Sequence, residues 1–531
     1  MKTCLAWVAL AVALGPLSSR AQSSAVPEGP RFDIVRYVVE GNTLLPAASI
    51  DRALAAFTGQ KKAFATIQQA LAALTKAYAV AGYSAVQVSI PEQEIRNGDV
   101  RFQVRELKLG QVVVEGNTHF GGDNIRRSLP ALIPGASPNV DHVARNLLTA
   151  NENASKQTQV VLRAGEADGT VDAVAKVRDQ NPLRFGVGID TTGTPSTGIL
   201  RASVAAQHSN MFDRDQALSA QYITSTEYPS RVSIVGLGYR IPLYQLGDSV
   251  EFAYVYSDVN SGSVNTSAGK FGISGSGNFY TARYNFNLPR TTEFDQRFIF
   301  GADWREYRND VRFAGAAGSL VPDITVHPLS VAWSGRWRDR DQDLSGFLSA
   351  YHNIAGGSDG DQAAFNKPGA RPGAATNYTL YRFAASYTRQ LPRDFQVRVG
   401  ANAQMTNDML VNGEQFGVGG MDSVRGFTER EVASDRGMRT SLEGYSPDFG
   451  TRLRPGVSAR ALVFFDYGQV KRNGALPGEK PSEAISSAGV GLRLFYGTNM
   501  SLRLDYGTVL QPGGVQGRGD QRLQGAFSWL F

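Results

Sequence analysis

The chain has 531 residues, with 54 lysines and arginines against 48 aspartates and glutamates and a formal net charge of +6. This length is large for one ordinary domain and suits two or three. The mild charge comes without a basic tract, so a nucleic-acid-binding arm is not expected. The single cysteine, Cys4, excludes a disulfide framework and a cysteine-based metal site.

The first 21 residues read as a secretory signal peptide. Lys2 precedes an apolar run at 5–14, and a small-x-small cleavage pattern follows at 19–21. The run is too short to span a bilayer, and Cys4 lies before it, which argues against a lipoprotein. Removing this segment takes away Lys2 and Arg20 and no acidic residue, so the net charge falls from +6 to about +4.

No later segment offers about 18 consecutive apolar residues, so no transmembrane helix is predicted. An exported chain of this kind is either soluble outside the cytoplasm or a membrane β-barrel.

The hexapeptide VVEGNT occurs at residues 38–43 and again at 113–118. After the first copy, the pattern predicts a helix to about Phe57 and a second helix with apolar residues at helical spacing, ended by Gly82. Two alternating segments follow at 85–90 and 100–104, with a turn at 97–99. The predicted order is strand, helix, helix, strand, strand.

The second copy starts the same order, with a strand at 112–114, helices at 124–129 and 140–148, and a hairpin of 159–163 with 170–177. A repeat of about 75 residues is too long for a solenoid unit, so two tandem small domains are predicted. We expect the hexapeptide to recur because each copy closes its strand into the same turn, where glycine and asparagine (Gly41, Asn42; Gly116, Asn117) tolerate positive φ. The alternative, that VVEGNT is only favourable strand and turn chemistry, does not account for the repeated order of elements.

The sequence pattern changes from about Leu183, where short segments of alternating apolar and polar residues replace helical periodicity. One example has Phe298, Phe300 and Trp304 on one face with Asp303 and Arg305 on the other. Apolar-out, polar-in alternation with a period of two is typical of membrane barrel strands. A soluble sandwich also alternates, but its polar face is usually poorer in arginine and aspartate. About 350 residues at ~10 per strand, plus turns and loops, predict ~16 strands.

The last segment repeats this alternation, with Phe527, Trp529 and Phe531 on one face. An aromatic terminal residue closing such a strand resembles the recognition signal for assembly of outer-membrane barrels. We therefore expect these three residues to act as an assembly signal.

Two short segments in the barrel region indicate an internal contact. The first is GGMDSVRGF at 419–427, in a predicted loop, and the second is FFDYG at 464–468, on a predicted strand. Alternation turns Asp466 and Gly468 toward the lumen. A lumen carboxylate can accept a bidentate hydrogen bond from an arginine carried inward on a loop.

GGMDSVRGF resembles the VRGY/F loop motif of the outer-membrane assembly and secretion superfamily, and FFDYG resembles its partner strand motif. The two N-terminal repeats resemble POTRA domains. Together they resemble the transporters of two-partner secretion (TpsB, the haemolysin secretion/activation type), and the resemblance covers essentially the whole chain after residue 21.

The resemblance implies a mostly β fold: a transmembrane antiparallel barrel at 182–531, preceded by POTRA-like α+β domains at 32–106 and 107–181 and a short segment at 22–31. It further implies that a loop with Val424, Arg425, Gly426 and Phe427 folds back into the lumen. There Arg425 is expected to pair with Asp466, close to Gly468.

The same resemblance implies an outer-membrane location with the POTRA domains in the periplasm. Its expected partners are a secreted, TpsA-like and β-helical exoprotein, outer-membrane lipid and lipopolysaccharide, and the barrel assembly machinery. No nucleic acid and no cofactor are expected, and export proceeds without ATP. Some relatives carry a helix that plugs the pore, but Pro27 and Pro30 disfavour a helix in this segment. The inward loop alone is therefore expected to close the pore.

A domain of the POTRA type is expected to leave its second strand at the sheet edge. In the second repeat that strand contains Thr158, Val160, Val161 and Leu162. An edge strand offers unpaired backbone groups to an extended chain, so these residues are candidates for cargo binding.

Two other functions remain to be weighed. A barrel-insertion factor of the same superfamily usually carries more POTRA repeats, so two repeats favour export. An enzyme or passive porin is a weaker alternative. Residues 356–360 match G-x-S-x-G but lie in a Gly/Asp-rich loop, and the five histidines lack metal-ligand spacing. No catalytic residue and no metal site are predicted.

Overall fold

The described chain divides into two structural units, one ending at Leu107 and the other running from Lys108 to Phe531. The computed structural model describes residues 30–266, 269–308 and 321–531. The predicted signal peptide at 1–21 and residues 22–29 lie outside the described residues. The expectation that no helix forms in this segment lies there too.

The first unit contains the first repeat. Its elements in chain order are β1 (Arg31–Ile34), β2 (Arg36–Glu40), α1 (Ala47–Leu54), β3 (Gly59–Ala63), α2 (Phe64–Val80), β4 (Val86–Ser89) and β5 (Asp99–Glu106). The main sheet has the order β2-β5-β4, with β2 parallel and β4 antiparallel to β5. Strands β1 and β3 form a separate antiparallel pair. The sequence did not predict that pair, because the two strands are only four and five residues long.

The core of the first unit lies between α2 and β5. Ile67, Leu74 and Tyr78 line one face of α2, because residues three or four positions apart share a side of a helix. They are fully buried together with Phe102 of β5. Burial raises the pKa of the Tyr78 hydroxyl above its ordinary value, with Glu106 adding to the effect.

The repeated hexapeptide forms a turn that is closed by a carboxylate from the last strand. Gly41 and Gly116 both have φ of +83°, and a Cβ at either position would collide with a carbonyl oxygen of its own sheet. In the first unit, Glu106 Oε1 accepts hydrogen bonds from the amides of Thr43 (2.8 Å) and Leu44 (3.0 Å). In the second repeat, Asp179 binds the corresponding amides of residues 118–120 at 2.8–3.1 Å.

The asparagines of the hexapeptide have a different role from the one predicted. Neither Asn42 nor Asn117 has positive φ, so within the hexapeptide only the glycine adopts that conformation. Instead, the side-chain amide of Asn42 donates to Leu45 O at 2.9 Å, and that of Asn117 donates to Phe120 O at 2.7 Å. The hexapeptide recurs because glycine permits the turn and asparagine bridges across it.

The second unit begins with the second repeat. Its elements are β6 (Lys108–Glu115), α3 (Gly122–Arg127), α4 (Val140–Ala150), β7 (Lys156–Ala164) and β8 (Thr170–Asp179). The sheet order is β6-β8-β7, with β6 parallel and β7 antiparallel to β8. Strand β7 therefore lies at an edge of its sheet.

The rest of the second unit is a closed antiparallel barrel. Its elements are β9 (Leu183–Asp190), β10 (Arg201–Met211), β11 (Gln216–Ser225), β12 (Ser233–Leu243), β13 (Asp248–Thr266), β14 (Gly269–Asn287), β15 (Phe294–Tyr307), β16 (Ile324–Val326), β17 (Pro328–Arg338), β18 (Gln342–Asn353), α5 (Gln362–Phe365), β19 (Thr379–Gln390), β20 (Gln396–Met405), β21 (Phe416–Val418), β22 (Val432–Ser434), β23 (Arg436–Tyr445), α6 (Gly450–Leu453), β24 (Val457–Lys471), β25 (Ser482–Tyr496), β26 (Met500–Gln511) and β27 (Gln521–Leu530).

Sixteen strands close the barrel within the described ranges, counting β16 and β17 as one strand interrupted at His327. Strand β27 pairs with β9 and so joins the two ends of the sheet. Outward-facing Phe300 and Trp304 are exposed, whereas inward-facing Asp303 is buried. The predicted fold class, a mostly β chain with a sixteen-stranded barrel, is confirmed.

A long loop between β18 and β19, residues 354–378, also fills part of the barrel interior. We call it the mouth loop. Its Phe365 and Tyr378 are fully buried and cluster with inward-facing residues such as Val255 and Phe279. The sequence did not predict this second loop in the lumen, and closure of the pore by the inward loop alone stays a prediction. Asp361 caps α5 by accepting a hydrogen bond from Ala364 N at 2.8 Å, which folds Phe365 inward.

A buried ion pair joins the second repeat to the barrel. Lys156 of β7 donates to Asp215 Oδ2 at 2.5 Å, and its side chain is fully buried. Asp215 ends the turn between β10 and β11, at residues 212–215. Asn124 of α3 accepts from Lys156 at 3.0 Å and donates to Asn210 Oδ1 at 3.0 Å. Burial lowers the pKa of the Lys156 ammonium below its ordinary value, against the pull of Asp215.

Replacing Lys156 should loosen this junction. Lys156→Ala leaves the Asp215 carboxylate buried without its cation, which typically costs ~3–5 kcal/mol. We expect protease to cut faster near residues 179–183 while the barrel stays folded. The matched control is Lys176→Ala, at an exposed lysine of the same sheet. Equal cleavage rates for wild type and both variants would contradict a stabilising role for Lys156.

Candidate functional site: a loop bound inside the barrel

The segment between β20 and β23, residues 406–435, folds into the barrel lumen. We call it the inward loop. Its β21 and β22 pair as a short hairpin, and the predicted motif lies between them. Val424 and Phe427 are fully buried, and Arg425 is 2% exposed. A buried arginine requires carboxylate partners, because an unpaired charge removed from water is costly.

Arg425 binds both carboxylate oxygens of Asp466 of β24. Nε donates to Oδ2 at 2.7 Å and Nη2 donates to Oδ1 at 2.7 Å. The backbone amide of Arg425 also donates to Oδ2, at 3.1 Å. Asp466 is fully buried. The structure therefore brings the two predicted residues together in the bidentate geometry that arginine favours.

Further wall residues complete the arginine site. Arg425 Nη1 lies 2.7 Å from Glu443 Oε1 and 3.4 Å from Asp505 Oδ1. The Ser441 hydroxyl accepts from Nη2 at 3.0 Å and donates to Asp466 at 2.6 Å. The guanidinium carbon lies 3.6 Å from the centroid of the Phe464 ring. One cation thus faces several acceptors from β23, β24 and β26.

Sequence reasoning missed Glu443, Ser441 and Asp505. Alternation along β23 and β26 was the available signal, since it turns these polar residues inward. It could not identify which of many inward carboxylates reach Arg425, because that depends on the register of neighbouring strands.

Two glycines of the wall allow the inward loop to approach closely. A Cβ on Gly468 would lie 3.0 Å from side-chain atoms of Val418 and Val424. A Cβ on Gly507 of β26 would lie 2.9 Å from Gly426 N. Gly426 itself has φ of +88°, which favours glycine.

Apolar packing and one amide hold the other end of the motif. Phe427 clusters with Val432, Ile485 and Val509. Gln524 of β27 accepts from Gly426 N at 2.9 Å and donates to Phe427 O at 3.1 Å. The motif therefore contacts the wall through charge, backbone and apolar surface together.

The predicted assembly-signal residues lie on the closing strand. Phe527 pairs with Ile189 and Trp529 with Val187 in the β27–β9 register. Phe531 and Phe185 exchange backbone hydrogen bonds of 2.9 Å in both directions. Trp529 and Phe531 are exposed on the outer face. Their role in assembly stays a prediction.

The predicted edge-strand residues lie on β7. Thr158 is buried, Val160 and Leu162 are half-buried, and Val161 is 47% exposed. Among the described residues, no group of three or more histidine, cysteine or acidic side chains is arranged to hold a metal ion. Of the helices in the described part of the chain, none combines the length and apolar character needed to cross a membrane.

Comparison with known proteins finds family models and relatives that match this chain. Residues 169–494 match the family model of the haemolysin secretion/activation protein ShlB/FhaC/HecB, and residues 32–106 match the ShlB-type POTRA domain. The heme/hemopexin transporter protein HuxB of Haemophilus influenzae is 22% identical, over 82% of this chain and 76% of its own length. The outer membrane transporter CdiB of Escherichia coli O6:K15:H31 is 24% identical, over 78% of this chain and 69% of its own length.

Solved structures share the fold. CdiB from Escherichia coli superposes with a TM-score of 0.76 at 20% identity, covering 97% of this chain and 94% of that one. BamA from Haemophilus ducreyi lacking POTRA domains 1–3 superposes with a TM-score of 0.52 at 15% identity, covering 94% of this chain and 100% of that one.

The barrel, its inward loop and the N-terminal repeats define an outer-membrane protein transporter. The chain belongs to the haemolysin secretion/activation protein family of ShlB, FhaC and HecB, whose model covers more than half of it. It is a two-partner secretion transporter of the outer membrane that exports a partner exoprotein and is not an enzyme. The predicted family, function and outer-membrane location are confirmed, and export is favoured over barrel insertion.

Breaking the Arg425–Asp466 pair should impair secretion. Arg425→Ala or Asp466→Ala leaves the other charge buried, at a typical cost of ~3–5 kcal/mol. We expect less partner protein outside the cell. The barrel should still assemble, and its heat-modifiable migration in gels measures this.

Arg518→Ala is the control, because Arg518 is an exposed arginine in another loop, residues 512–520. Normal secretion by both Arg425→Ala and Asp466→Ala, with normal assembly, would show that the pair has no role in export.

Proposed function

We propose that strand β7 of the second repeat captures the unfolded exoprotein, that the barrel carries it outward, and that the inward loop closes the lumen between export events. In this proposal residues 32–106 and 107–181 are periplasmic POTRA domains, and residues 182–531 form the membrane barrel. The partner is a TpsA-like, β-helical exoprotein. The exposed outer face contacts lipid and lipopolysaccharide, and the barrel assembly machinery recognises Phe527, Trp529 and Phe531.

The orientation of backbone groups on β7 supports capture by strand addition. The amide of Thr158 donates to the Asn151 side chain at 2.7 Å, and its carbonyl accepts from that side chain at 2.9 Å. Both groups therefore point away from β8. Because backbone groups alternate along an antiparallel strand, those of Val160 and Leu162 also point away from β8, whereas those of Val161 point toward it.

This geometry determines which backbone groups of β7 are available to an incoming strand. Asn151 already binds both backbone groups of Thr158, so an incoming strand has its first available pairs at Val160 and Leu162. Backbone pairing requires little side-chain identity, which suits cargo that arrives unfolded.

Cavities in the lumen support the proposal that the export route runs through the barrel and is closed at rest. A cavity of about 780 Å³ lies inside the barrel near the turns at 339–341, 391–395 and 497–499, lined by arginines that include Arg336, Arg398 and Arg460. A second cavity of about 740 Å³ borders the inward loop at Gln415, Ser423 and Arg430. A third cavity, of about 300 Å³, is lined by Arg425 and shares Arg398 with the first space and Ser423 with the second. The inward loop thus occupies the position at which a passing chain would be stopped.

The two proline variants of β7 should differ in their effect on cargo binding. Val160→Pro removes an outward amide and spares the ladder with β8, since proline is tolerated where its nitrogen faces away from the sheet. Val161→Pro removes an amide that faces β8 and should lower thermal stability. We expect Val160→Pro to bind an N-terminal exoprotein fragment more weakly at normal melting temperature. Full affinity in both variants would place recognition elsewhere, for example at 85–90.

Shortening the inward loop should open the pore in part. Replacing residues 420–427 by a short flexible linker removes the Arg425 contacts, so single-channel current in planar bilayers should rise. The mouth loop stays in place, so replacing residues 361–374 as well should raise the current further. An unchanged current after the first replacement would mean that the mouth loop alone closes the lumen.

A further inference from the structure

The inward loop carries a second buried charge, Glu414, in a short helical turn at residues 412–414. This carboxylate is 1% exposed. It lies eleven positions before Arg425 and outside the GGMDSVRGF motif. Nothing in the Arg425 site requires it.

Glu414 binds a different part of the barrel wall. Arg305 Nη1 donates to its two carboxylate oxygens at 2.8 and 3.0 Å, and the Tyr307 hydroxyl donates at 2.6 Å. Arg382 Nη2 lies 3.5 Å from Oε2. Arg305 and Tyr307 belong to β15, and Arg382 belongs to β19.

The two charged contacts of the inward loop are far apart around the barrel. Strand β15 carries Arg305, strand β24 carries Asp466, and five strands separate them along the shorter way round. The loop therefore spans the lumen. It presents a cation to acidic wall residues of β23, β24 and β26 and an anion to basic wall residues of β15 and β19.

We infer that Glu414 is a positioning residue that holds the inward loop across the lumen as a second anchor, independent of Arg425. This inference rests on the proposed closing role of the loop. Release of either anchor leaves the loop bound at the other side, so full withdrawal from the lumen requires both to break.

The opposite signs of the anchors make them non-interchangeable. In the place of Glu414, Arg425 would meet Arg305 and Arg382, and the nearby carboxylate of Asp303 is already paired with Arg305 and Arg283. Glu414 cannot replace Arg425 beside Asp466 and Glu443. The opposite charges of Arg425 and Glu414, each matched by wall residues of the other sign, thus specify one orientation of the loop in the lumen.

The base of the loop is also bound, which limits how far it moves when one anchor breaks. Gln404 of β20 donates its amide to the backbone oxygens of Glu414 at 2.9 Å and Asp435 at 2.8 Å. Asp435 accepts from Leu410 N at 2.8 Å and from Arg371 of the mouth loop. Loss of Glu414 should therefore free the middle of the loop more than its ends.

The test uses the full chain, purified and folded, with a single reporter thiol. Cys4 is the only cysteine of the sequence, so Cys4→Ser combined with Ser423→Cys leaves a single thiol, in the middle of the loop. A bulky polyethylene-glycol maleimide reports access to it. Single-channel current in planar bilayers gives a second measurement.

Glu414→Gln, in the Ser423→Cys background, should raise the labelling rate about tenfold, since a buried ion pair loses one partner, and should lengthen the open intervals of the channel. Glu414→Asp keeps the charge and should lie between this variant and the parent. Adding Arg425→Ala to Glu414→Gln should exceed either change alone. The matched control is Glu479→Gln, in the half-exposed Arg472–Glu479 pair of the 472–481 loop.

The outcomes distinguish failure of the second anchor at Glu414 from failure of the proposed closure by the inward loop. Parental labelling and current in Glu414→Gln, together with a change in Arg425→Ala, would overturn the second anchor and leave loop closure standing. No change in either single variant and none in the double variant would overturn loop closure itself. If Glu414→Gln does not assemble, Tyr307→Phe removes the 2.6 Å hydrogen bond without altering charge. A smaller rise in labelling is then expected, and parental behaviour would overturn the inference.

Discussion

The guanidinium of Arg425, enclosed by carboxylates of the barrel wall, determines where the inward loop lies. Taking this charge out of water is unfavourable unless charged hydrogen bonds replace the water. The bidentate contact with Asp466 and the contact with Glu443, both at 2.7 Å, supply that replacement. Gly468 and Gly507 contribute by lacking side chains, because any Cβ there would push the motif off the wall.

The barrel provides the frame that makes such a contact possible. Its strands turn apolar side chains outward and polar ones inward, so the lumen is rich in paired charges while the outer face suits lipid. Asp505, for example, binds Arg493 and Arg503 as well as approaching Arg425. This charged network holds the inward loop together with the apolar cluster around Val424 and Phe427.

Backbone groups carry a different part of the function. Within the described residues the barrel sheet is closed, because β27 pairs with β9. The sheet of the second repeat does leave an edge, at β7, and the buried Lys156–Asp215 pair ties the same strand to a turn of the barrel. In the proposed function, capture and passage therefore lie on one structural unit, and the Lys156–Asp215 pair holds the beginning of the strand that offers hydrogen bonds.

The sequence by itself determined the features that depend on local periodicity and short motifs. Alternation predicted the barrel strands, helical spacing predicted α2, and GGMDSVRGF with FFDYG indicated the Arg425–Asp466 contact. These patterns are visible because each is set by residues close together in the chain. Only the tertiary structure decided which further groups meet. Glu414 and Arg305 are 109 positions apart, and Glu443 and Asp505 reach Arg425 through strand register. The outward direction of Val160 likewise follows from pairing with β8. Register and loop path arise from the packing of the whole barrel, so no local pattern encodes them.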